Sequence, residues 1–405
     1  MNILVFNCGS SSVSYKVFRV EDFNEIEVLI TGKAHRVGVT GSEPSFIEHE
    51  YKELIQKDEL PITSYEQAAR LILKFIKENN VIIDLIGNRF VHGGTYFRGS
   101  AFVNPDSLKK LELCLPLAPL HNPIALSVIF ESGKFFKDVR QYVVFDSAFH
   151  STIPDYAYTY ALPKRIVEKY NYRKYGFHGI SYSYVIRAAS DFLKEPLGKL
   201  NIVACHLGTG GSSVAAVKNG FSVDTSMGYS PLSGLVMSTR SGDIDPMIMI
   251  YMMVFYGFRN DDLLNLLNKK SGLLGVSGFS SDIRDIIGRI SSEKNAGLAF
   301  RMYIQHLKKY IGSFIVAALG GIDVLIFTDD IGIKNPFVRE KVCENMEWCG
   351  IVLDKDKNKK YGMKKPELLD SRNSKVRIIA VPTDEEIVIA WEGLKLLKEE
   401  KNAAL

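Results

Sequence analysis

The sequence predicts an α/β fold with more than one domain. Six short runs of β-branched and aromatic residues are each followed by small or ionisable residues, as is typical of buried strands that end at a site. Segments with helical periodicity alternate with these runs, as in a layered α/β protein. The length of 405 residues is too great for one compact core and fits two or three domains.

The predicted strands occupy residues 3–6, 81–86, 141–145, 202–205, 324–327 and 376–381. Ligands of open α/β sheets bind beyond the carboxyl ends of the strands. The residues that follow these six runs are therefore the first candidates for a functional site.

Three helices are predicted from their ends and their periodicity. Ser64 and Gln67 have the spacing of a capping box and mark a helix start. A long helical pattern over 297–319 ends at two glycines. A final amphipathic helix is predicted over 386–398.

Two loops of small residues, at Gly9 and Gly208, each lie between two apolar strands and are 199 residues apart (208 minus 9). This indicates two halves of similar design, although two unrelated hairpins with glycine in their turns explain the pattern equally well. Backbone N–H groups in such turns can bind phosphate together. The presence of two such loops at strand ends favours anion binding.

The composition argues against several classes of protein. A net charge of +4 does not indicate a nucleic-acid or membrane-surface partner. The longest apolar stretch, 247–258, is too short to span a bilayer, and the N-terminus has no secretion-signal pattern. Five scattered cysteines without a CxxC pair exclude a disulfide framework and a thiolate zinc site. We therefore expect a cytoplasmic protein.

Three arginines could bind an anion. Small residues surround Arg89 and Arg240, and Arg284 lies in an Asp-Ile-Arg-Asp segment. A guanidinium group binds carboxylate or phosphate through two hydrogen bonds. A single arginine more often forms a surface or structural ion pair, so the small-residue context of the first two carries the interpretation.

Histidines and carboxylates complete the candidates from the residues alone. His121 and His178 lie in loops beside glycine and proline and are better site candidates than His206, which could equally be a strand-end residue. Asp146 and Glu385 follow predicted strands, where a carboxylate that faces phosphates usually binds magnesium. Glu385 could equally be a first-turn acid of the last helix.

Eight motifs occur in a fixed order along the chain: NCGSSS (7–12), VHGG (91–94), APLHNP (118–123), FDSAFH (145–150), YGFHG (175–179), DTSMG (224–228), TRSGDIDP (239–246) and SGLLGVSG (271–278). With these motifs the chain resembles the acetate kinase family along nearly its whole length. No single motif is specific, but the ordered set is.

The resemblance implies an actin-like (ribonuclease H-like) fold, in which two α/β domains of related topology surround a central cleft. It places the first domain at 1–150, completed by 386–405, and the second at 151–385, with the nucleotide or diphosphate side and the dimer interface. It also implies a homodimer, Mg²⁺ or Mn²⁺, and phosphoryl transfer between acetyl phosphate or acetate and a second phosphate compound.

The resemblance also assigns roles to individual residues. It gives catalytic roles to Arg89, Asp146, His178 and Arg240: the arginines bind the acetate carboxylate and the moving phosphoryl group, and His178 stabilises the transition state. The implied acetate-binding residues are Val91, Leu120, His121, Phe177 and Pro231. The implied phosphate- or nucleotide-binding residues are Asn7, Ser10, Ser12, His206, Gly208, Thr209, Gly210, Gly211, Asp282, Arg284, Asp329, Asp330 and Ile331. The implied metal-binding residues are Asn7 and Glu385.

The implied chemistry agrees with these residues. Acetate is already ionised at pH 7, so its attack needs no general base. An anion must attack an anionic phosphorus, and converging cations with in-line positioning meet that need. We therefore expect direct transfer, with Arg89 and Arg240 converging on the reactants and no serine or cysteine nucleophile.

The chain departs from the family pattern where the adenosine lies in most members. The usual Phe-Thr-(Gly/Ala)-Gly-Ile-Gly-Glu-Asn is FTDDIGIK here, at 327–334, and the usual His-Leu-Gly-Asn-Gly is HLGTG, at 206–210. An aspartate in place of glycine adds volume and negative charge beside a polyanion. These departures resemble the diphosphate-dependent acetate kinases of amoebae.

We therefore expect diphosphate and orthophosphate as the donor couple. In the alternative, ATP is kept, and Asp329 or Asp330 bonds a ribose hydroxyl. Two other readings are an acyl kinase for propionate or butyrate and a non-catalytic actin-like switch.

Overall fold

The computed structural model describes residues 1–403 except 10, 24, 40, 42 and 361. Ser10, one of the expected phosphate-binding residues, lies outside the described residues. The chain forms two compact units. Unit 1 comprises Met1–Phe149 and Asp384–Leu405, and unit 2 comprises His150–Thr383.

Unit 1 contains an eight-stranded sheet with helices. Its strands are β1 Asn2–Cys8, β2 Ser12–Val20, β3 Ile26–His35, β4 Phe46–Tyr51, β5 Leu54–Glu59, β6 Leu85–Phe90, β7 Ala101–Phe102 and β8 Arg140–Phe145. Its first three helices are α1 Tyr65–Glu78, α2 Pro105–Leu113 and α3 Asn122–Phe135. The strand order is β5-β4-β3-β2-β1-β6-β8-β7.

Unit 2 contains a six-stranded sheet and most of the helices. Its strands are β9 Asn201–Leu207, β10 Ser212–Lys218, β11 Phe221–Thr225, β12 Val324–Thr328, β13 Glu367–Leu368 and β14 Arg377–Ala380, in the order β11-β10-β9-β12-β14-β13. Its helices are α4 Asp155–Tyr158, α5 Lys164–Tyr170, α6 Gly179–Leu193, α7 Pro246–Tyr256, α8 Asn260–Lys269, α9 Gly272–Ser277, α10 Ile283–Gly288, α11 Lys294–Ser313, α12 Asp329–Lys334, α13 Pro336–Cys343 and α14 Lys355–Asn358. The last helix, α15 (Glu385–Ala403), belongs to unit 1.

The two sheets share one topology, which confirms the predicted α/β class and the repeat. In unit 1, β3, β2 and β1 are antiparallel neighbours, and β6 and β8 then follow parallel to β1. In unit 2, β11, β10 and β9 are antiparallel, and β12 and β14 follow parallel to β9. The two hairpin turns also close alike: the Gly9 N–H donates to the Ser12 carbonyl at 2.9 Å, and the Gly208 N–H donates to the Gly211 carbonyl at 3.1 Å.

The predicted strand at 81–86 is wrong. The strand is β6, because pairing with β1 begins at Leu85, opposite Ile3. Ile82 is 75% exposed, and the Asp84 carboxylate accepts the N–H of Asn2, so this segment is a loop beside the end of β1. The shift places Arg89 inside the strand.

The helix predictions hold with small shifts at their ends. Ser64 caps α1, because its hydroxyl accepts the Gln67 N–H. The Gln67 side-chain oxygen accepts the Thr63 N–H, whereas a capping box would require the Ser64 N–H. The long pattern over 297–319 is α11 followed by a π-helical turn, Phe314–Leu319, which ends at Gly320 in the left-handed region. Within the described residues, no helix has both the length and the apolar character needed to cross a membrane.

The last helix is held tightly against the sheet of unit 1. The buried Tyr142 hydroxyl on β8 donates to the Ile389 carbonyl at 2.7 Å. A Cβ at Gly393 would lie 2.6 Å from the Tyr142 ring, and one at Gly87 would lie 2.5 Å from the same ring. Only glycine lets α15 approach this tyrosine so closely.

The Gly393→Ala variant is expected to destabilise the protein by about 1–3 kcal/mol, because the added methyl forces the buried Tyr142 to move. Gly312→Ala is the matched control, since Gly312 is also helical and has nothing within 4 Å of its Cβ position. That control is expected to stabilise the protein by about 0.5–1 kcal/mol, because alanine lowers the conformational entropy of the unfolded chain. Urea midpoints measured by circular dichroism test both, and equal midpoints would contradict the close packing.

Candidate active site

Arg89 and Asp146 form a two-bond ion pair at the ends of β6 and β8. The Arg89 Nε and Nη2 atoms donate to the two Asp146 carboxylate oxygens at 3.0 and 2.7 Å. The Asp146 side chain is 1% exposed and the Arg89 side chain 17%. Burial alone would lower the pKa of Arg89, but Asp146 and Glu385 raise it above its usual value. Asp146 therefore fixes the guanidinium group and keeps its charge.

Asn7 on β1 connects this pair to the start of α15. Its carbonyl oxygen accepts from Arg89 Nη1 at 2.9 Å. Its amide nitrogen donates to Glu385 at 3.0 Å and to Glu386 at 2.9 Å. The two residues expected to bind a metal, Asn7 and Glu385, are therefore in direct contact.

Lys16 on β2 extends the cluster. Its ammonium group contacts Asp384 at 2.9 Å and Glu386 at 3.6 Å. With Arg89, Asp146 and Glu385, the group holds two cations and four carboxylates, a net charge of −2 when all are ionised. Burial raises the pKa of Glu386, although Lys16 opposes the rise. A divalent cation would offset this excess of negative charge.

The donor set fits magnesium. Among the described residues, no group of three or more His, Cys, Asp and Glu side chains is arranged to hold a metal ion. Magnesium is usually held by only one or two carboxylates together with water and substrate phosphates. The Glu385 carboxylate would be a hard oxygen ligand of that kind, next to the excess negative charge, whereas Asn7 turns its amide nitrogen to Glu385 and its oxygen to Arg89.

In unit 2, His178 lies at the N-terminus of α6 with a left-handed backbone (φ 60°). Its Nδ1 atom is 2.8 Å from the Ser213 hydroxyl, which is 2.6 Å from the Tyr182 hydroxyl. Its ring stacks on His206, with centroids 4.1 Å apart. The imidazole is thus held both at one nitrogen and on one face.

Arg240 lies on the same side of the Gly211 turn as His178. A Cβ at Gly211 would be 3.3 Å from Arg240 Nη1 and 3.6 Å from His178 Nε2. Arg240 Nη1 donates to the Pro231 carbonyl at 3.3 Å, and in the described part of the chain no carboxylate forms an ion pair with it. Burial lowers the pKa of Arg240. A half-buried guanidinium without a carboxylate partner favours binding of an external anion.

Asp329, the first residue of α12, reaches the Gly208 turn. Its carboxylate is 3.1 Å from His206 Nε2. A Cβ at Gly208 would lie 2.3 Å from the Asp329 Oδ2 atom. The carboxylate therefore fills the space directly beside the turn, where the sequence pattern expects phosphate to bind.

Comparison with known proteins decides the family. A model of the Acetokinase family matches residues 2–391. The chain belongs to this family. The curated acetate kinase of Thermoanaerobacter pseudethanolicus is 43% identical over 98% of this chain and 99% of its own length.

Solved structures agree with this membership of the acetokinase family. The acetate kinase of Entamoeba histolytica is 46% identical and has a TM-score of 0.87, with 98% of this chain and 99% of that chain covered. A propionate kinase of Francisella tularensis is 36% identical, also with a TM-score of 0.87, and the cover is 96% and 98%.

The structure groups the expected acetokinase residues by unit. In unit 1, Val91 is buried and Leu120 is 55% exposed beside His121, the residue before α3. In unit 2, Phe177 is buried next to His178, and the Pro231 carbonyl contacts Arg240. The common action of Arg89 and Arg240 on one pair of reactants remains a prediction.

Several expected phosphate-binding residues form local contacts. Arg284 folds back onto Asp282, the N-cap of α10, and its side chain is 78% exposed. Asp330 pairs with Lys334 one helical turn later, and Ile331 is buried. Ser12 closes the first turn, while Thr209 and Gly210 form the exposed tip of the second. These residues therefore lie in the two turns, at α10 and on α12.

Sequence reasoning missed the residues that hold the site residues in place. The buried Asn122 accepts the His92 N–H at 3.2 Å and donates to the His92 carbonyl at 3.1 Å, so it ties the VHGG loop to α3. Ser213 and Tyr182 do the same for His178. The strand pairing of Ser213 with His206 could have identified Ser213, but only after the hairpin register was known.

Burial makes the Cys8 thiol, next to the unit 1 cluster, a poor nucleophile. Burial raises the pKa of the Cys8 thiol to about 12, against a smaller opposite effect of Arg89. The thiolate is the reactive form, and this raised pKa keeps the thiol protonated at pH 7.

Proposed function

We propose that this protein is an acetate kinase that transfers a phosphoryl group from diphosphate to acetate. In the reverse direction, it transfers the group from acetyl phosphate to orthophosphate. The observation that carries the phosphotransferase part is Arg240, a half-buried guanidinium that lacks a carboxylate partner among the described residues and lies beside His178 at the Gly211 turn. We expect the protein to work in the cytoplasm, and its five cysteines are free thiols.

The reaction is a displacement at phosphorus. One oxygen of ionised acetate forms a bond to a terminal phosphorus of diphosphate while the bridging P–O bond breaks, and orthophosphate leaves. Arg240 and His178 neutralise the charge that develops on the transferred group. Arg89 binds an anionic reactant through the part of its guanidinium that Asp146 does not occupy. Asp146 acts as the residue that fixes Arg89.

A magnesium ion would be held by Glu385, with Asn7 beside it. When bound, this ion offsets charge on the phosphate oxygens and helps to orient them. The Asn7 amide keeps Glu385 and Glu386 in position through its two hydrogen bonds. Lys16 limits the negative charge of this group by pairing with Asp384.

Asp329 supports diphosphate over ATP. Its carboxylate lies against Gly208, so it adds both volume and negative charge beside the turn. A nucleoside triphosphate brings a larger anion and a nucleoside to this place, whereas diphosphate needs less space. The names of the relatives state no phosphate donor, so the proposal rests on this side chain and on the sequence resemblance to the amoebal subfamily.

Two alternatives keep the same fold. In one, ATP is the donor and Asp329 or Asp330 binds a ribose hydroxyl. In the other, the acyl substrate is longer, as the similarity to a propionate kinase suggests. By the family resemblance, the acetate-binding residues include Val91 and Pro231, which favour a small acyl group. However, one methylene is worth only about 1–3 kcal/mol, so acetate and propionate can both be substrates.

We also propose that a second copy of this chain covers helix α7. No residue of α7 is buried, and eight of its ten large apolar residues are between 44% and 75% exposed. A helix that is apolar on all sides is normally buried. An exposed apolar patch of this size marks an interaction surface, and the homodimer implied by the family resemblance supplies the occupant.

Replacement of Arg240 by alanine should lower kcat/KM for acetyl phosphate by about 10³-fold, because the transition state loses a cation. Arg89→Ala should have an effect of similar size. Arg140→Ala is the control, since this arginine pairs with Glu400 on the surface of unit 1. Steady-state kinetics and circular dichroism test the three variants. Near-normal turnover in a folded Arg240→Ala protein would contradict the assigned role.

Initial rates with alternative acceptors test the donor. With acetyl phosphate and Mg²⁺, orthophosphate is expected to give a kcat/KM at least about 100-fold above that of ADP, as expected if the nucleotide is hindered by about 3 kcal/mol. The reverse reaction, followed as acetyl hydroxamate, should prefer diphosphate to ATP. An enzyme that uses ADP more efficiently than orthophosphate would disprove the diphosphate proposal and leave acetate kinase activity intact.

Light scattering after size exclusion tests the dimer. The wild-type protein should have twice the chain mass of 45.4 kDa. The double variant Val254→Glu, Phe255→Glu should be monomeric, because it places two charges in an apolar interface. The matched control is Leu54→Glu, Ile82→Glu, which changes two equally exposed apolar residues of unit 1. A wild-type monomer, or a dimer that survives the α7 change, would refute this arrangement.

A further inference from the structure

Asp329, His206 and His178 form a row of interacting groups in unit 2. The Asp329 carboxylate contacts one edge of the His206 ring at 3.1 Å, and the face of that ring stacks on His178. We infer that Asp329 is a positioning residue, which holds His206 with a proton on Nε2 and thereby fixes the ring of His178. This inference rests on the proposed function, because it takes His178 as the group that acts on the phosphoryl.

The hydrogen bonds of His206 define its orientation. Its Nδ1 atom is 3.0 Å from the Ser181 hydroxyl, and its Nε2 atom faces Asp329. An ionised carboxylate can only accept hydrogen bonds, so Nε2 must carry a hydrogen. His206 is buried on β9, and the two contacts at opposite edges leave its ring little freedom to rotate.

The backbone shows that this contact is built into the fold. Asp329 has φ 62°, in the left-handed region that most side chains avoid. The carboxylate then lies where a Cβ of residue 208 would be, so the contact also requires glycine at that position. Two independent backbone constraints therefore serve one carboxylate, which is typical of functional positions.

The charges around the row agree with an ionised Asp329. Burial alone would raise the pKa of this carboxyl. The His206 imidazole, the Asp330 N–H and Lys334 together lower the pKa by more than burial raises it, so it lies below its usual value. Burial raises the pKa values of Tyr182 on α6, Tyr303 on α11 and Cys205 on β9, so these neighbours are neutral at pH 7. Arg240 is the nearby cation on the His178 side.

The stacked rings transmit this order to His178. One face of His178 lies against His206, and its Nδ1 atom is held by Ser213. Its Cε1–Nε2 edge lies against Gly211, next to Arg240. By holding the hydrogen of His206 on Nε2, the Asp329 carboxylate fixes the ring on which His178 stacks. His178 is thereby held in place while negative charge develops on the phosphoryl group.

The Asp329→Asn variant tests the inference, because the amide keeps the shape and removes the charge. Its kcat should fall by about 10–100-fold with both orthophosphate and ADP as acceptor, while the KM for acetyl phosphate changes less than about threefold. The high-pH limb of the kcat profile should move to lower pH, because an amide does not favour a charged imidazole. Asp329→Glu should restore part of the loss.

Glu48→Gln is the matched control, because Glu48 and His35 form a carboxylate–imidazole pair at the same 3.1 Å distance in unit 1. It should leave kcat and its pH profile unchanged. Histidine-selective NMR of the wild-type protein gives a reading that needs no variant: the Nε2 atom of His206 should carry a proton at pH 7. A His206 ring without that proton would overturn the inference even if Asp329→Asn failed to fold.

The outcomes separate this inference from the proposed function. If His178→Ala abolishes turnover and Asp329→Asn has normal kcat with both acceptors, the positioning role is refuted and the proposed function stands. If Asp329→Asn changes only the ratio of orthophosphate to ADP use, Asp329 selects the donor and does not position His178. If His178→Ala retains normal turnover, the proposed role of His178 fails first.

Discussion

Parallel strand pairing is the constraint on which both clusters depend. Pairing of β1 with β6, and of β6 with β8, brings Asn7, Arg89 and Asp146 to one edge of a sheet although they are far apart in the sequence. In unit 2, pairing of β9 with β12 places His206 opposite Thr328, so Asp329 follows directly at the same edge. The chemistry of each unit is therefore set by the register of a few central strands.

The two clusters use their arginines differently. Arg89 donates hydrogen bonds to Asp146 and Asn7 and forms part of an acidic group. Arg240 is half-buried and forms no ion pair with an acid among the described residues. Burial lowers its pKa, and a bound anion would raise it again. This division gives one cation that is fixed in advance and another whose charge is satisfied mainly by a ligand. Charge-stabilising catalysis uses both kinds, since preorganised groups need little rearrangement during the reaction.

The sequence predicted the fold better than the contacts that hold the candidate site residues in place. Five of the six predicted β-branched runs are strands, and the two glycine turns located the repeat, because alternation and turn chemistry are local properties. The strand at 81–86 was misplaced, since its limits depend on where Leu85 meets Ile3. Arg89, Asp146 and Asn7 were proposed from family motifs, and their mutual contacts depend on the strand register. Asn122, Ser213 and Lys16 were missed because a single polar residue gives no periodic signal; only its long-range partner reveals its role.

The position of α15 has a consequence for biosynthesis. The ribosome makes the first 149 residues of unit 1 and then all of unit 2 before it reaches Asp384. At about 5–20 residues per second, the 234 intervening residues (150–383) delay the last helix by roughly 10–50 s. During that interval the surface around Tyr142 has no helix to cover it, and Arg89 has no Glu385 beside it. A nascent chain can thus complete unit 2 while unit 1 still lacks helix α15. A chain that ends before α15 has neither a complete unit 1 core nor the Glu385 carboxylate that would hold magnesium.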